Sequence, residues 1–158
     1  MHREGAEGEA IATGTYKYYI HVFEHAFEGN FDFTGGNMKV QHSSASETPD
    51  QDADEFESAW DANKVSGTNL AADGIALDTP TITVTGGTNV IKYDATDYSV
   101  ATVTASGIKN THFVDTTSAN EATNVAMGYI VWDTAMSPSA GTLSIVYDSA
   151  GLATVTPS

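Results

Sequence analysis

The sequence predicts a mainly β protein, a single-domain β-sandwich of jelly-roll type with two short helices in its N-terminal half. From about Ile75 to the C-terminus, Thr, Val, Ile and Tyr dominate, and turn signals recur roughly every ten residues. Segments 81–85 and 143–147 alternate polar with apolar side chains, as strands with one buried face do. The length of 158 residues suits one domain. We therefore expect a single domain over residues 14–158.

The first predicted element is a helix over residues 16–27, followed by extended chain. Its large apolar residues share one helical face, and they are Tyr16, Tyr19, Ile20, Phe23 and Phe27. Gly29 is placed to adopt the left-handed conformation that ends a helix. Segments 31–33 and 37–42 look extended, with Gly35-Gly36 as the turn between them.

The acidic stretch TPDQDADEFESAW, residues 48–60, predicts the second helix. Thr48 suits the N-cap, Pro49 the first helical position, and Gln51 the third position of a capping box. The acids that follow would lie in the first turns, where the helix dipole favours negative charge. Phe56 and Trp60 would anchor this helix on the sheet.

The remainder of the chain predicts a series of short strands separated by turns. The predicted strands are 75–84, 90–94, 101–104, 111–114, 125–133, 142–147 and 153–156. The predicted turns are 86–87, 118–120, 137–141 and 148–151, all rich in Gly, Ser, Pro, Asn or Asp.

Composition and charge limit the classes of partner. The chain has 21 acidic and 6 basic residues, a net charge of −15, and no Lys or Arg in residues 110–158. Such a surface repels nucleic acids and anionic membranes, so we expect neither as a partner. No apolar run approaches the ~20 residues of a membrane span. Residues 1–13 are acidic and Gly-rich without the pattern of a secretory signal, which predicts a flexible arm.

The segment His21-Val22-Phe23-Glu24-His25 matches H-x-x-E-H, in which two histidines one helical turn apart bind zinc and the glutamate activates water. A catalytic zinc site also needs a third protein ligand, normally from a second helix. Beyond residue 62 the sequence predicts only strands, and His21 and His25 lie off the apolar stripe. We therefore favour two solvated residues on the helix surface over a metal site.

A second candidate metal site is the acidic stretch itself. Asp50, Asp52 and Asp54 match positions 1, 3 and 5 of a calcium loop. Position 6, where the loop requires a sharp turn and Gly, is Glu55, and position 12 is the shorter Asp61. The start of a helix accounts for more of the residues than a calcium site does, and we expect no cofactor.

Nucleophilic catalysis has little support, because the chain has no cysteine and no G-x-S-x-G motif. We therefore expect no enzymatic activity. An exposed aromatic platform would instead indicate a carbohydrate-binding adhesin module, although core packing is the commoner role of such rings. The aromatic residues available for it are Trp60, Tyr93, Tyr98, Tyr129 and Trp132.

Three stretches carry a resemblance to a known family: SSASETPDQDADEFESAW, VSGTNLAADGIALDTPTITV and GTLSIVYDSAGLATVTPS. They resemble the small virion-associated structural proteins of tailed bacteriophages and prophages, over roughly residues 16–156 of this chain. Lys39-Val40, residues 48–56, residues 65–68 and residues 141–156 keep the family's patterns. The resemblance implies a virion structural protein, assembled in the host cytoplasm, and it implies no catalytic residues.

Two positions depart from the family's pattern. Gln41-His42 replaces Ala-Leu, and Asn69-Leu70 replaces Gly-Tyr. A polar pair in a partly buried strand suggests that His42 faces a neighbouring subunit.

From the resemblance and the charge together we expect a capsid decoration or cement protein on the exterior of the shell. A surface of net charge −15 would repel packaged DNA. The expected partners are the major capsid protein and further copies of the chain in a homo-oligomer. The alternative within this class is a tail, neck or fibre component with tail or neck proteins as partners, and charge does not separate the two.

Overall fold

The computed structural model describes residues 12–87, 90–118 and 122–155, and over these ranges the chain is mainly β. The strands are β1 (Gly14–Tyr18), β2 (Met38–Ser43), β3 (Ile75–Ala76), β4 (Thr81–Thr85), β5 (Val90–Asp94), β6 (Tyr98–Val103), β7 (Ile108–Asp115), β8 (Ala126–Met136), β9 (Gly141–Ile145) and β10 (Ala153–Val155). One α-helix, α1 (His21–Phe27), and two 3₁₀ turns, Glu57–Ala59 and Asp61–Asn63, complete the elements of these ranges. Residues 1–11 of the predicted arm lie outside the described residues.

The strands form three antiparallel sheets. The largest has the order β1-β8-β7-β2-β3, and the two smaller sheets have the orders β10-β5-β4 and β6-β9. In the five-stranded sheet, strands β2 and β7 pair in register from Met38↔Asp115 to Ser43↔Asn110. The two strands are far apart in sequence, so their pairing is long-range.

The two faces of the five-stranded sheet differ in what packs against them. On the core face, Val40, Phe113 and Ile130 pack in one apolar cluster with residues of both smaller sheets, among them Tyr93 and Leu143. The opposite face, here called the covered face, lies under the connection 44–64. A second cluster fills this interface, and it consists of Tyr19, Trp60, Val114, Ala126 and Tyr129.

The N-terminal helix is shorter than the apolar spacing predicts. It begins at His21 because residues 14–18 form β1 and pair with β8, which places Tyr16 opposite Ile130. Glycine at position 128 makes this pairing possible, since a Cβ there would collide with the Tyr16 ring. Gly29 has a φ of +76° and its N–H donates to Ala26, so the predicted helix end is confirmed.

The second predicted helix is wrong. Residues 51–53 form a turn after Thr48, and only the 3₁₀ turns follow. The anchoring role of Trp60 is nevertheless confirmed, because its side chain is fully buried on the sheet. Segment 31–33 is not a strand either, although Phe31 is buried in the core.

The other predicted strands are confirmed, most of them with changed bounds. Residues 90–94 match β5, and segments 37–42, 111–114 and 125–133 correspond to β2, β7 and β8. The predicted strand 75–84 is divided into β3 and β4, and Pro80, which lacks the N–H that a sheet ladder needs, precedes β4. Parts of the predicted turn 118–120 and residue 156 lie outside the described residues.

Candidate functional site

The histidines of the H-x-x-E-H segment attach α1 to the connection 44–64. His21 Nδ1 lies 3.3 Å from Glu24 Oε2, and its Nε2 lies 3.2 Å from the carbonyl oxygen of Asp52. His25 Nε2 lies 3.0 Å from Glu55 Oε1. The hydrogen bond to Glu24 raises the pKa of His21. The expectation of two solvated residues is therefore wrong for His25, whose side chain is only 15% exposed.

Asp50, Asp52 and Asp54 close a tight loop with their own backbone. Asp50 Oδ1 accepts hydrogen bonds from the N–H groups of Asp52 and Ala53, and Asp54 Oδ2 accepts one of 2.7 Å from Asp50 N–H. A short acidic side chain that binds the backbone in this way favours a turn over a helix. Across the described ranges, no group of three or more His, Asp or Glu side chains has an arrangement that could hold a metal ion.

The covered face of the sheet carries a buried polar network, here called the covered-face network. On this face, six polar side chains of β2, β7 and the connection 44–64 are 7% exposed or less. They are Gln41, Ser43, Glu47, Glu57, Asn110 and His112. Burying so many polar groups is tolerated only when each finds hydrogen-bond partners.

Ser43 is the first centre of this network. Its hydroxyl donates to Glu47 Oε2 at 2.7 Å and accepts from Asn110 Nδ2 at 3.0 Å. His112 Nε2 lies 2.8 Å from the same oxygen. Since the only hydroxyl proton points to Glu47, Nε2 carries the imidazole proton and donates it. Nδ1 then accepts from the Tyr19 hydroxyl at 3.0 Å.

This arrangement resembles a serine–histidine pair without its chemistry. In nucleophilic catalysis the histidine accepts the serine proton, and the serine oxygen must face substrate. Here the proton of Ser43 goes to a carboxylate, and both Ser43 and His112 have no exposed surface. Burial lowers the pKa of His112, which keeps the ring neutral where it stacks on Trp60 with centroids 4.2 Å apart. The geometry supports a structural link between β2, β7 and the connection 44–64.

Glu57 is the second centre. Its carboxylate accepts hydrogen bonds from Gln41 at 2.6 Å, Asn124 at 2.6 Å and Lys64 at 2.7 Å. Burial alone would raise the pKa of Glu57, but these three donors outweigh it and the pKa is lowered. Trp60 Nε1 donates to Gln41 Oε1 at 2.8 Å and so joins the two centres.

His42 lies on the core face, between the five-stranded sheet and β6. Its Nδ1 is 3.0 Å from Thr111 Oγ1, and its Nε2 is 3.3 Å from the Tyr98 hydroxyl. Burial lowers the pKa of His42 to about 3. The hypothesis that His42 faces a neighbouring subunit is wrong, because the side chain is 2% exposed within its own chain.

The aromatic residues considered for a carbohydrate platform are buried. Trp60, Tyr93, Tyr98, Tyr129 and Trp132 are each 7% exposed or less. Trp132 borders a groove of about 650 Å³ beside β1. Its indole N–H is already bonded to Thr111 Oγ1 at 2.9 Å, so these rings form core and not a flat exposed platform.

Large apolar side chains are exposed at separate places on the surface. On β4 and β5, Ile82 is 45%, Val84 68% and Ile91 38% exposed. Phe27 at the end of α1 and Val146 after β9 are more exposed still. The three residues of the hairpin are close neighbours in the sheet, and they form the candidate contact surface of this fold.

Sequence reasoning missed most of the covered-face network. Its signal was present in the polar residues of two strands, Gln41-His42-Ser43 and Asn110-Thr111-His112. Only the register Gln41↔His112 and Ser43↔Asn110 shows that these residues meet. The fold and this site together define a mainly β protein with a buried, hydrogen-bonded polar centre.

Comparison of the chain with protein families, with curated proteins and with solved structures finds no match. Within the described ranges, no helix is both long and apolar enough to cross a membrane.

Proposed function

We propose that this chain is a non-enzymatic structural protein of a tailed-bacteriophage virion, a decoration or cement protein on the exterior of the capsid. The observation that carries the proposal is the stretch TPDQDADEF at residues 48–56, together with the resembling segments 39–40, 65–68 and 141–156. Its partners are the major capsid protein and further copies of the chain.

The contacts of the resembling stretch support a structural role. Residues 48–56 belong to the connection 44–64, which covers the sheet and supplies Glu57 and Trp60 to the covered-face network. The acids of this stretch bind backbone N–H groups of the same loop and the imidazole of His25. Residues that would identify a family are thus used for folding, as expected of a protein that acts through its shape and surface.

Charge supports the exterior of the shell. The net charge of −15 would repel packaged DNA from every copy, whereas the outside of a capsid tolerates such a surface. The packing of residues from all three sheets in one apolar cluster supports the finer architecture, a β-sandwich of jelly-roll type. An experimental structure tests that architecture directly.

Quantitative gel analysis of purified virions that encode this chain tests the proposed function. We expect hundreds of copies per particle, and antibody labelling over the head. A few to dozens of copies, labelled at the tail or neck, would instead support the alternative, a tail, neck or fibre component. Absence of the chain from purified particles would contradict a virion role.

A further inference from the structure

Strand β4 is an exposed strand at one end of the three-stranded sheet, and within the described chain its outer edge is open to another strand. The sheet order β10-β5-β4 places β4 at one end, with a strand neighbour among the described residues only on its β5 side. All five residues Thr81–Thr85 are exposed. An exposed edge strand offers backbone hydrogen-bonding groups to another strand, and proteins usually protect such edges with charges, prolines or bulges. The strand itself contains none of these.

An apolar stripe runs along one face of this hairpin. Ile82 pairs with Tyr93 and Val84 pairs with Ile91, and directly paired residues lie on the same face of a sheet. Tyr93 is buried in the core at 2% exposure, whereas the other three are 38–68% exposed. The apolar surface therefore begins in the core and continues outward without a cover in the described chain.

The sequence of β4 is almost the same in both directions. In Thr81-Ile82-Thr83-Val84-Thr85, an antiparallel neighbour of identical sequence centred on Thr83 places Ile82 opposite Val84 and Thr83 opposite Thr83. Pairs of β-branched residues stabilise neighbouring strands. A two-fold contact of this kind uses the same patch on both copies, as closed dimers do.

Charge also favours a second copy at this edge. Two chains of net charge −15 repel one another, so contact is least costly where acids are absent. Residues 79–93 contain no acid, and Lys92 is paired with Asp94 at 2.8 Å. The edge can therefore meet its own copy without bringing carboxylates together.

We propose that β4 is a self-association edge, at which two copies of this chain pair antiparallel about Thr83 and join their three-stranded sheets into one of six strands. Five-residue strands span only about 17 Å, and such a contact falls below the ~1,200 Å² of a standard stable interface. The dimer is therefore weak in dilute solution and forms where copies are concentrated or held by other contacts. The proposal does not rest on a virion role.

Cysteine crosslinking tests the pairing, since the native chain has no cysteine. In the Thr83→Cys variant the two cysteines would lie opposite each other, within the ~4.5–5.5 Å between paired Cα atoms that a disulfide can span. Oxidised glutathione should then give a disulfide-linked dimer, by oxidation of two thiols to one disulfide. Val146→Cys, an exposed control outside the edge, should give little dimer. A mixture of Ile82→Cys and Val84→Cys chains should crosslink more than either alone. Equal yields for positions 83 and 146 would overturn the proposal.

Sedimentation equilibrium from micromolar to millimolar concentration measures association of the unmodified chain. We expect a weak monomer–dimer equilibrium that strengthens at higher salt, because salt screens the repulsion between acidic copies. Val84→Lys should weaken it at least about tenfold, since the dimer contains the Ile82–Val84 pair twice, whereas Val146→Lys should leave it unchanged. Ile91→Lys, on the same face but not at the edge, should weaken it less than Val84→Lys. Equal effects at 84 and 91 would indicate stacking of sheet faces and contradict edge pairing, as would a monomer at every concentration and salt.

Discussion

The covered-face network and the hairpin of β4 and β5 distribute polarity in opposite ways. Between β2 and β7, polar side chains such as Gln41 and His112 are fully buried. On the hairpin, apolar side chains such as Val84 are exposed, and every residue of β4 faces solvent at least in part. Buried polar groups cost stability unless they are paired, and exposed apolar groups gain it when they are covered. The six polar side chains of the first region are hydrogen-bonded within one chain, whereas the apolar side chains of the second would gain from being covered.

The difference also concerns register. A one-residue slip between β2 and β7 would move Gln41 and Ser43 to the core face. Glu57 would then lose the hydrogen bond from Gln41, and Glu47 the one from Ser43. No comparable penalty fixes the outer edge of β4, because no strand among the described residues pairs with β4 on that side. The covered-face network fixes the register of β2 and β7 within one chain. The near-symmetric sequence of β4 is compatible with antiparallel pairing to a second chain.

The largest expected effect comes from Glu57→Gln. The substitution keeps the shape of the side chain but removes the negative charge that pairs with the ammonium group of Lys64. The Lys64 side chain is only 5% exposed. Breaking a buried ion pair typically costs about 3–5 kcal/mol. Because Lys64 Nζ keeps an ion pair with Asp61 at 2.9 Å, we expect a loss at the lower end of this range in urea denaturation. Glu24→Gln, at a side chain 64% exposed, is the matched control and should cost less than about 1 kcal/mol. Similar losses for the two variants would contradict the role assigned to Glu57.

Acid should destabilise the protein through its buried histidines. The unfolded chain protonates His42 near its ordinary pKa of 6.5, whereas burial holds the folded pKa at about 3. Between these values the unfolded state binds more protons, so stability is complete above pH 6.5 and falls as the pH falls. His112, whose pKa is also lowered, acts in the same direction.

From pH 7 to pH 5 the loss should be about 2 kcal/mol for His42, as measured by urea denaturation at both values. This range lies above the usual pKa of the carboxylates. The His42→Gln variant, which can still bind Thr111 and Tyr98, should show a smaller difference between the two pH values. An unchanged difference in that variant would contradict the assignment.

The mainly β class and most of the strands can be predicted from the sequence, whereas the second helix was wrongly predicted and the network was not predicted. Turns and alternation are local, so β5, β7 and β8 follow from their own residues. The spacing of Tyr16 from the next apolar residues is compatible with a helix as well as with a strand. Only the pairing of β1 with β8 decides that Tyr16 lies in a strand. Likewise Thr48 and Pro49 suit a helix start, but Asp50 and Asp54 bind the backbone of a turn. Ser43 and His112 are 69 residues apart, and no local pattern brings them together.

Trp60→Phe tests the link between the two centres of the network. The variant keeps an aromatic ring over His112 but loses the indole N–H that donates to Gln41 Oε1. An unsatisfied buried acceptor costs about 1–3 kcal/mol, and chemical denaturation should show a loss of this size. Phe56→Leu, at a half-buried ring that donates no hydrogen bond, controls for the loss of aromatic packing surface alone. A loss below about 0.5 kcal/mol would show that the Trp60 hydrogen bond does not contribute.

Asp50→Ala tests the loop that replaces the predicted helix. It removes the oxygen that accepts from the N–H groups of Asp52 and Ala53, and a net loss of about 1 kcal/mol is expected. Asp50→Asn keeps that oxygen and should cost less than half as much. Hydrogen exchange of the two amides should accelerate in the alanine variant and not in the asparagine variant. If both variants lose the same stability, the carboxylate charge and not the acceptor position holds the loop.

Among these substitutions, Val84→Lys should have the smallest effect on stability, although it should have the largest effect on self-association. Val84→Lys changes a side chain that is 68% exposed, so unfolding at low protein concentration should shift by no more than about 0.5 kcal/mol. A shift of that size with lost self-association would show that Val84 serves a contact between copies. A loss of unfolding free energy above about 1 kcal/mol in the monomer would instead mean that Val84 packs within its own chain. The hairpin, like the covered-face network, would then be stabilised by contacts within one chain.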